Sequence, residues 1–91
     1  MESALEEIEF LALSANRVEV LTLLADQRRT RRSLEDETGA SQATLGRILG
    51  DFQDRSWVRK EGSEYVATAT GRLVAQGFTD LLDILETESE L

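Results

Sequence analysis

The chain has 91 residues, a length that predicts one domain with a modest core. Eighteen residues are Asp or Glu and ten are Lys or Arg, which gives a formal net charge of −8. It has no Cys and no His, and so lacks the soft metal ligands, the usual general base and the thiol nucleophile; we expect neither an enzyme nor a metal or cofactor site. No apolar stretch is long enough to cross a bilayer, and the acidic N-terminus is unlike a targeting peptide, which predicts a cytoplasmic protein that does not bind membranes.

Two helices are predicted in the first 26 residues. Ser3 is a suitable cap for the first helix, over about residues 3–13, and Ser14 for the second, which runs to about Asp26. In both segments apolar residues recur at helical spacing. The apolar positions are Leu5, Ile8, Leu11 and Ala12 in the first helix and Val18, Leu21, Leu24 and Ala25 in the second.

The segment 30–55 has the pattern of a helix-turn-helix. Thr30 can cap a short helix through Thr38, and Gly39 follows where a helix end favours a left-handed residue. Ser41 can cap the next helix, over residues 41–54. Its inward positions are Leu45, Ile48, Leu49 and Phe52. Two short helices joined by a tight turn that contains Gly are typical of a helix-turn-helix.

A β-hairpin and a long helix are predicted to complete the chain. Residues 58–61 and 65–68 can pair across Gly62-Ser63, giving a wing over about 57–68. From about residue 70 to about 88 the apolar positions return to helical spacing. These positions are Leu73, Val74, Gly77, Phe78, Leu81, Leu82 and Leu85. The predicted fold is therefore mainly α with a small β-hairpin, a winged helix-turn-helix that occupies residues 1–91 as a single domain.

The basic residues are concentrated in the middle of the chain. Nine of the ten lie within residues 27–72, and Arg28, Arg29, Arg31 and Arg32 stand at the start of the third helix. A helix N-terminus already carries partial positive charge, so arginines there favour a bound anion, for which a nucleic-acid phosphate is the natural candidate. The alternative is a solvated basic face that pairs with the acidic residues 35–37.

The high net acidity does not exclude a DNA-binding protein. Nine of the ten basic residues are Arg, and together with abundant Asp, Glu, Ala and Thr this composition is typical of salt-loving archaea. In molar salt the Debye length is only about 3 Å, so distant carboxylates repel a duplex weakly.

Several motifs resemble a known family along essentially the whole chain. The run 39–49 with Phe52 and Trp57-Val58 resembles the winged helix-turn-helix of ArsR/MarR-like transcriptional regulators. The segments 8–14, 39–52 and 77–82 are more closely similar to the N-terminal domain of a group of haloarchaeal regulators. Fuller chains of that group carry a C-terminal sensor-like domain related to methanogenesis regulators, which lies outside these 91 residues. The resemblance implies a transcription factor, usually dimeric.

The resemblance also implies which side chains meet DNA. Helix 41–54 would enter the major groove by its N-terminal turns. There Gln42 would pair with adenine, Arg47 with guanine or phosphate, and Ala43 with a thymine methyl, while the hydroxyls of Ser41 and Thr44 would bond a phosphate or a base edge. The residues expected to hold the flanking backbone or the minor groove are Arg28, Arg29, Arg31, Arg32, Arg59, Lys60 and Ser63. Simple capping by Ser41 and an ordinary surface role for Gln42 and Arg47 stay open as alternatives.

The outer helices are predicted to form a dimer interface. Once the inner apolar residues have packed together, little room remains for the apolar faces of residues 4–13 and 73–85. A two-fold partner would bury them and would call for a roughly palindromic operator. The residues assigned to this interface are Leu5, Ile8, Leu11, Val74, Phe78, Leu81, Leu82 and Leu85. The alternative is that both helices fold back on their own monomer.

Three positions depart from the usual pattern. Ser56 stands where relatives place Gly, in a left-handed position that costs another residue about 1 kcal/mol. Gly46 and Gly50 interrupt the helix 41–54, and Gly46 is expected to face the groove.

The favoured function is therefore a dimeric, sequence-specific regulator that binds double-stranded DNA. The alternative is a winged-helix module that binds protein instead; RNA binding has little support because few aromatic residues are free to stack. The sequence leaves open the operator, the effector and the choice between activation and repression.

Overall fold

The computed structural model describes the backbone of residues 2–88 and the side chains of residues 4–87. Within that range five helices surround a small sheet. The elements in chain order are α1 (Glu2–Ala12), α2 (Ala15–Asp26), β1 (Arg29–Thr30), α3 (Arg31–Thr38), α4 (Gln42–Asp54), β2 (Val58–Glu61), β3 (Glu64–Ala67) and α5 (Ala69–Glu88). This is the predicted winged helix-turn-helix architecture, with α3 and α4 as the helix-turn-helix and β2–β3 as the wing.

Local capping chemistry determines where most of these helices begin. Ser14, Thr30 and Ser41 each precede a helix in extended backbone, and each side chain accepts a hydrogen bond from the backbone N–H three residues on. Gly39 ends α3 with φ +74°, as predicted. The expected cap at Ser3 is wrong, because α1 already begins at Glu2.

The sheet has one strand more than predicted. Its order is β1-β3-β2, with both pairings antiparallel. The turn Gly62-Ser63 joins β2 to β3 as expected, with Gly62 at φ +63°. However, β3 is residues 64–67, one residue earlier than predicted, and Thr68 instead caps α5 by accepting a 3.0 Å hydrogen bond from the Gly71 N–H. The missed strand β1 ties the start of α3 to the wing.

The core lies between α2, α3, α4, the sheet and the inner faces of α1 and α5. Its fully buried side chains include Val20, Leu21, Leu24, Leu34, Leu45, Leu49, Phe52 and Val58. Leu11 belongs to this core and is only 2% exposed, so its assignment to a dimer interface is corrected: α1 turns this residue inward within its own monomer. Val74 and Phe78 are half-buried against the same core.

Helix α4 ends in a Schellman motif that starts the wing. The N–H of Trp57 donates to the carbonyl of Phe52, and that of Ser56 to the carbonyl of Gln53, at 3.0 Å each. Ser56 occupies the left-handed position with φ +61°, as the sequence predicted. The Phe52 and Trp57 rings, 5.8 Å apart, make the apolar contact that accompanies this motif.

Helix α5 approaches this turn very closely at Gly71. The backbone N–H of Thr68 donates to the Trp57 carbonyl oxygen at 2.9 Å. A Cβ at Gly71 would overlap that oxygen and lie 2.9 Å from the carbonyl carbon. Only glycine therefore fits between α5 and the start of β2.

Candidate nucleic-acid interface

The turn between α3 and α4 is rigidly held. Thr38 Oγ1 donates to the Leu34 carbonyl at 2.7 Å and accepts from the Ala40 N–H at 3.1 Å. Leu34 and Leu45 are completely buried and anchor the two helices in the core. Because the turn and both anchors are fixed, α4 presents its N-terminal turns to solvent in a defined orientation.

The outer face of α4 carries polar side chains without partners. Gln42, Ala43 and Arg47 are exposed, and Thr44 is half-buried. Within residues 4–87, neither Gln42 nor Arg47 forms a side-chain hydrogen bond or an ion pair. The Ser41 hydroxyl, by contrast, is occupied by the N–H of Thr44 at 3.1 Å and by its hydroxyl at 3.0 Å. Capping is thus a structural role of Ser41 in the folded chain, while Gln42 and Arg47 are available for an external ligand.

Arg31 lies beside this face. Its guanidinium donates to the Tyr65 hydroxyl at 3.3 Å and sits 3.9 Å from the position that a Cβ of Gly46 would take. Gly46, predicted to face the groove, therefore has the Arg31 guanidinium as its neighbour. Arg32 is exposed, and within the described side chains it has no ion pair. Arg31 and Arg32 begin α3 and Arg47 lies on α4, and within the described side chains none of the three forms an ion pair.

Arg29, predicted to contact DNA, is instead a buried structural residue. Its side chain is 9% exposed, and its Nε donates to the Glu37 carboxylate at 2.7 Å. It also donates to the Leu23 carbonyl and lies 3.8 Å from the Asp26 carboxylate. Successive residues of an extended segment point to opposite sides, so Arg29 faces inward where Arg28 faces outward. The DNA assignment of Arg29 is corrected on this ground.

The wing carries as much acid as base. Arg28 pairs with Glu61 at 3.0 Å and with Glu64 at 3.3 Å, and Arg59 pairs with Glu61 at 2.6 Å. The Arg59 guanidinium, with a smaller effect from Arg28, lowers the pKa of Glu61 below its ordinary value of 4.5. Lys60 lies 5.7 Å from the centre of the Tyr65 ring. Ser63 is exposed in the turn. The predicted alternative of arginines paired with residues 35–37 is found for Arg29, through Glu37, whereas Arg28 pairs with the wing carboxylates Glu61 and Glu64.

A contact that the sequence did not reveal joins α1 to the end of α4. Arg55 Nε donates to the Glu7 carboxylate at 2.6 Å, and its guanidinium stacks 3.6 Å from the centre of the Phe10 ring. Arg17 lies 4.1 Å from the same ring and donates to the Phe10 carbonyl at 2.7 Å. The Arg55 contacts join the end of α4 to α1, and the Arg17 contacts join α2 to α1. Single charged residues have no periodicity, so only the three-dimensional structure brings them together.

The outer sides of α1 and α5 form an apolar face, here called the α1–α5 face. Leu5, Ile8, Leu81, Leu82 and Leu85 are exposed on it, Ile8 by 47%. It includes an apolar groove of about 390 Å³, lined in part by Trp57 and Phe78.

In the described part of the chain, no helix is both long and apolar enough to span a membrane, and no cluster of acidic side chains is arranged to hold a metal ion.

Solved structures share this fold at low sequence identity. A Lactococcus lactis ZitR mutant superposes with a TM-score of 0.73 and 19% identity over 85% of this chain, which spans 58% of that ZitR chain. The transcriptional repressor BigR from Xylella fastidiosa gives 0.67 and 20% identity, covering 94% of this chain and 93% of its own. Wild-type ZitR in complex with DNA superposes with a TM-score of 0.66 and 20% identity, and the match covers 85% of this chain and 58% of the ZitR chain. At these identities the likeness establishes the fold.

Sequence comparison assigns the family. No curated protein sequence matches the chain. The family model described as the HVO_A0261 N-terminal domain matches residues 5–90, which include every helix and strand described above apart from the first residues of α1. The chain belongs to the HVO_A0261 N-terminal domain family.

Proposed function

We propose that the chain is a transcriptional regulator that reads double-stranded DNA with α4. The observation that carries this proposal is the exposed face of Gln42 and Arg47, which have no partner among the described side chains, lie opposite the buried side of α4 and have the Arg31 guanidinium nearby. A helix presented in this way fits the major groove by its N-terminal turns. The same fold in ZitR has been solved in complex with DNA, which supports the proposal.

The contacts divide into those that specify and those that position. Gln42 would pair with both N6 and N7 of adenine, Arg47 with guanine or a phosphate, and Ala43 with a thymine methyl. Thr44, Arg31 and Arg32 would hold phosphates on either side and would fix the register without reading sequence. In the wing, Lys60 and Ser63 would contact the DNA backbone that flanks the recognition site.

We also propose that the regulator is a homodimer formed through the α1–α5 face. Each large apolar side chain removed from water contributes roughly 1.5–3 kcal/mol, and this face exposes five of them in the described monomer. A two-fold dimer would present two α4 helices and bind a roughly palindromic operator. We expect sedimentation velocity to show a dimer that Ile8→Glu with Leu81→Glu converts to a folded monomer; a wild-type monomer at all concentrations would contradict this.

The test of DNA binding is an anisotropy titration of a labelled genomic duplex pool across a salt series. We expect wild type to bind saturably and Gln42→Ala with Arg47→Ala to lose at least about 30-fold in affinity, since each bidentate base contact contributes about 1–3 kcal/mol. Gln53→Ala with Arg72→Ala is the matched control, because it removes the same residue types from exposed positions away from the N-terminal turns of α4.

Two results would overturn the proposal. Equal losses in both double variants would show that net charge, not the α4 face, governs binding. No binding by a well-folded wild type at any salt concentration would favour the alternative, a winged-helix module that binds protein.

A further inference from the structure

The tip of the wing brings two carboxylates together with two arginines. Glu61 ends β2 and Glu64 begins β3, and the two residues are partners in the hairpin register. Arg59 lies two residues before Glu61, on the same side of the strand. Arg28 immediately precedes β1, whose pairing with β3 brings Arg28 to the other side of the same carboxylates.

Glu61 binds both arginines at once. Its Oε1 accepts from Arg28 at 3.0 Å, and its Oε2 accepts from Arg59 at 2.6 Å. Arg28 is further engaged by Glu64 at 3.3 Å. The two carboxylates match the two guanidiniums, so this cluster has no net charge. Around α4, by contrast, Arg31, Arg32 and Arg47 have no ion pair within the described side chains.

We propose that Glu61 competes internally with DNA phosphate for Arg28 and Arg59, and thereby holds the wing in a weak-binding state. This inference rests on the proposed function. In the free protein both guanidiniums already have an anionic partner. A DNA phosphate must therefore displace the Glu61 carboxylate, which belongs to the same chain and stays close to both arginines after displacement. The affinity of the regulator is then determined by α4 with Arg31 and Arg32, and the wing adds little beyond Lys60.

The hairpin does not depend on Glu61 for its fold. Four residue pairs join β2 to β3, and the inner strand β3 also pairs with β1. The hairpin residues Val58, Tyr65, Val66 and Ala67 are themselves buried. The ion pairs lie on the outer surface, where about half of the Arg28 side chain and more of Arg59 is exposed to solvent. Exposed pairs of this kind contribute little to folding. Their larger effect is on which anions the arginines can bind.

The experiment is the salt series applied to Glu61→Gln, which keeps the side-chain size and removes the charge. We expect tighter binding than wild type at low salt, because two guanidiniums become available to phosphates. The slope of log affinity against log salt should steepen by up to about 1.8, or about 0.9 for each phosphate neutralised. Between about 50 and 200 mM salt, this corresponds to a roughly tenfold larger loss of affinity than in wild type. Glu9→Gln, at an exposed position on α1, controls for net charge.

A second background separates competition from simple repulsion. In Arg28→Gln with Arg59→Gln, the further change Glu61→Gln should have no effect if the carboxylate acts by holding these arginines. An equal gain in that background would show that Glu61 only repels the duplex and would overturn the proposal. Arg28→Gln with Arg59→Gln alone should keep the salt slope of wild type; a slope shallower by about 0.9 for each arginine would show that the arginines already hold phosphates.

The two proposals fail in different ways. If wild type binds through Gln42 and Arg47 but Glu61→Gln matches Glu9→Gln, the competition is absent and the DNA-binding function stands. If neither wild type nor Glu61→Gln binds any duplex, both proposals are wrong.

Discussion

Replacing Gly71 by Ala should destabilise the fold strongly although it adds a single methyl group. The new Cβ would overlap the Trp57 carbonyl oxygen and lie 2.9 Å and 3.2 Å from the next two backbone atoms of that residue. These neighbours are backbone, so no side chain can rotate away. Helix α5 would have to move from β2, and the hydrogen bonds of Thr68 to the Trp57 and Ser56 carbonyls would stretch or break.

The size of this effect follows from three contributions. Overpacking costs typically about 1–3 kcal/mol, and each weakened hydrogen bond about 1 kcal/mol more. The higher helix propensity of Ala returns up to about 1 kcal/mol. We therefore expect the free energy of unfolding to fall by about 2–3 kcal/mol and Tm to fall by about 10–20 °C for a domain of this size.

Urea denaturation followed by far-UV circular dichroism measures the change directly. Gly50→Ala is the matched control, because a Cβ there meets nothing within 4 Å. It should raise the free energy of unfolding by up to about 1 kcal/mol. If Gly71→Ala proved as stable as Gly50→Ala, the close approach of α5 to Trp57 would be refuted.

Three further predictions concern other named residues. Ser56→Gly should stabilise the protein by about 1 kcal/mol, because Ser56 has φ +61°; an unchanged urea midpoint would contradict this. Arg29→Met should cost about 1–3 kcal/mol in urea denaturation by removing both the donor to the Leu23 carbonyl and the ion pair with Glu37, while duplex affinity of the folded protein stays the same; a selective loss of affinity would restore Arg29 to the interface. The Arg59 and Arg28 guanidiniums lower the pKa of Glu61 in the folded protein. The stability that these ion pairs contribute is therefore present at pH values above the pKa of Glu61 in the unfolded chain, and it is lost as the pH falls through the lower pKa of the folded protein. The stability difference between wild type and Glu61→Gln should therefore shrink as urea denaturation is repeated from neutral to acid pH, and a difference that grew toward acid would contradict the ion pairs.

Elements with local signals could be predicted from the sequence. Ser14, Thr30, Ser41 and Gly39 act through their own backbone neighbours, so the starts of three helices and the end of α3 were correct. The turn at Gly62-Ser63 is equally local. Strand β1 was missed because a strand of two residues has no periodicity, and only its pairing with β3 creates it.

The candidate site was less predictable because side-chain direction depends on distant partners. Arg28 and Arg29 are alike in the sequence, yet Arg28 meets wing carboxylates 33 and 36 residues away, and Arg29 is buried against Glu37. Leu11 shares an apolar stripe with Ile8, but only Leu11 reaches the core. Helical spacing identifies the apolar face of a helix, but it does not show which residues of that face are buried within the monomer. The inward residues of α4 were correct because a single strong stripe dominates that helix.

The position of Trp57 gives this chain a built-in optical reporter. It is the only Trp, it is 6% exposed, and it begins the wing directly after the Schellman turn of α4. Its indole also lines the groove between α1 and α5 and lies 5.8 Å from the Arg55 guanidinium. Its emission spectrum therefore responds to unfolding, to a shift of α4 and to the covering of the groove. One unlabelled sample can thus be followed through all three events without adding a dye.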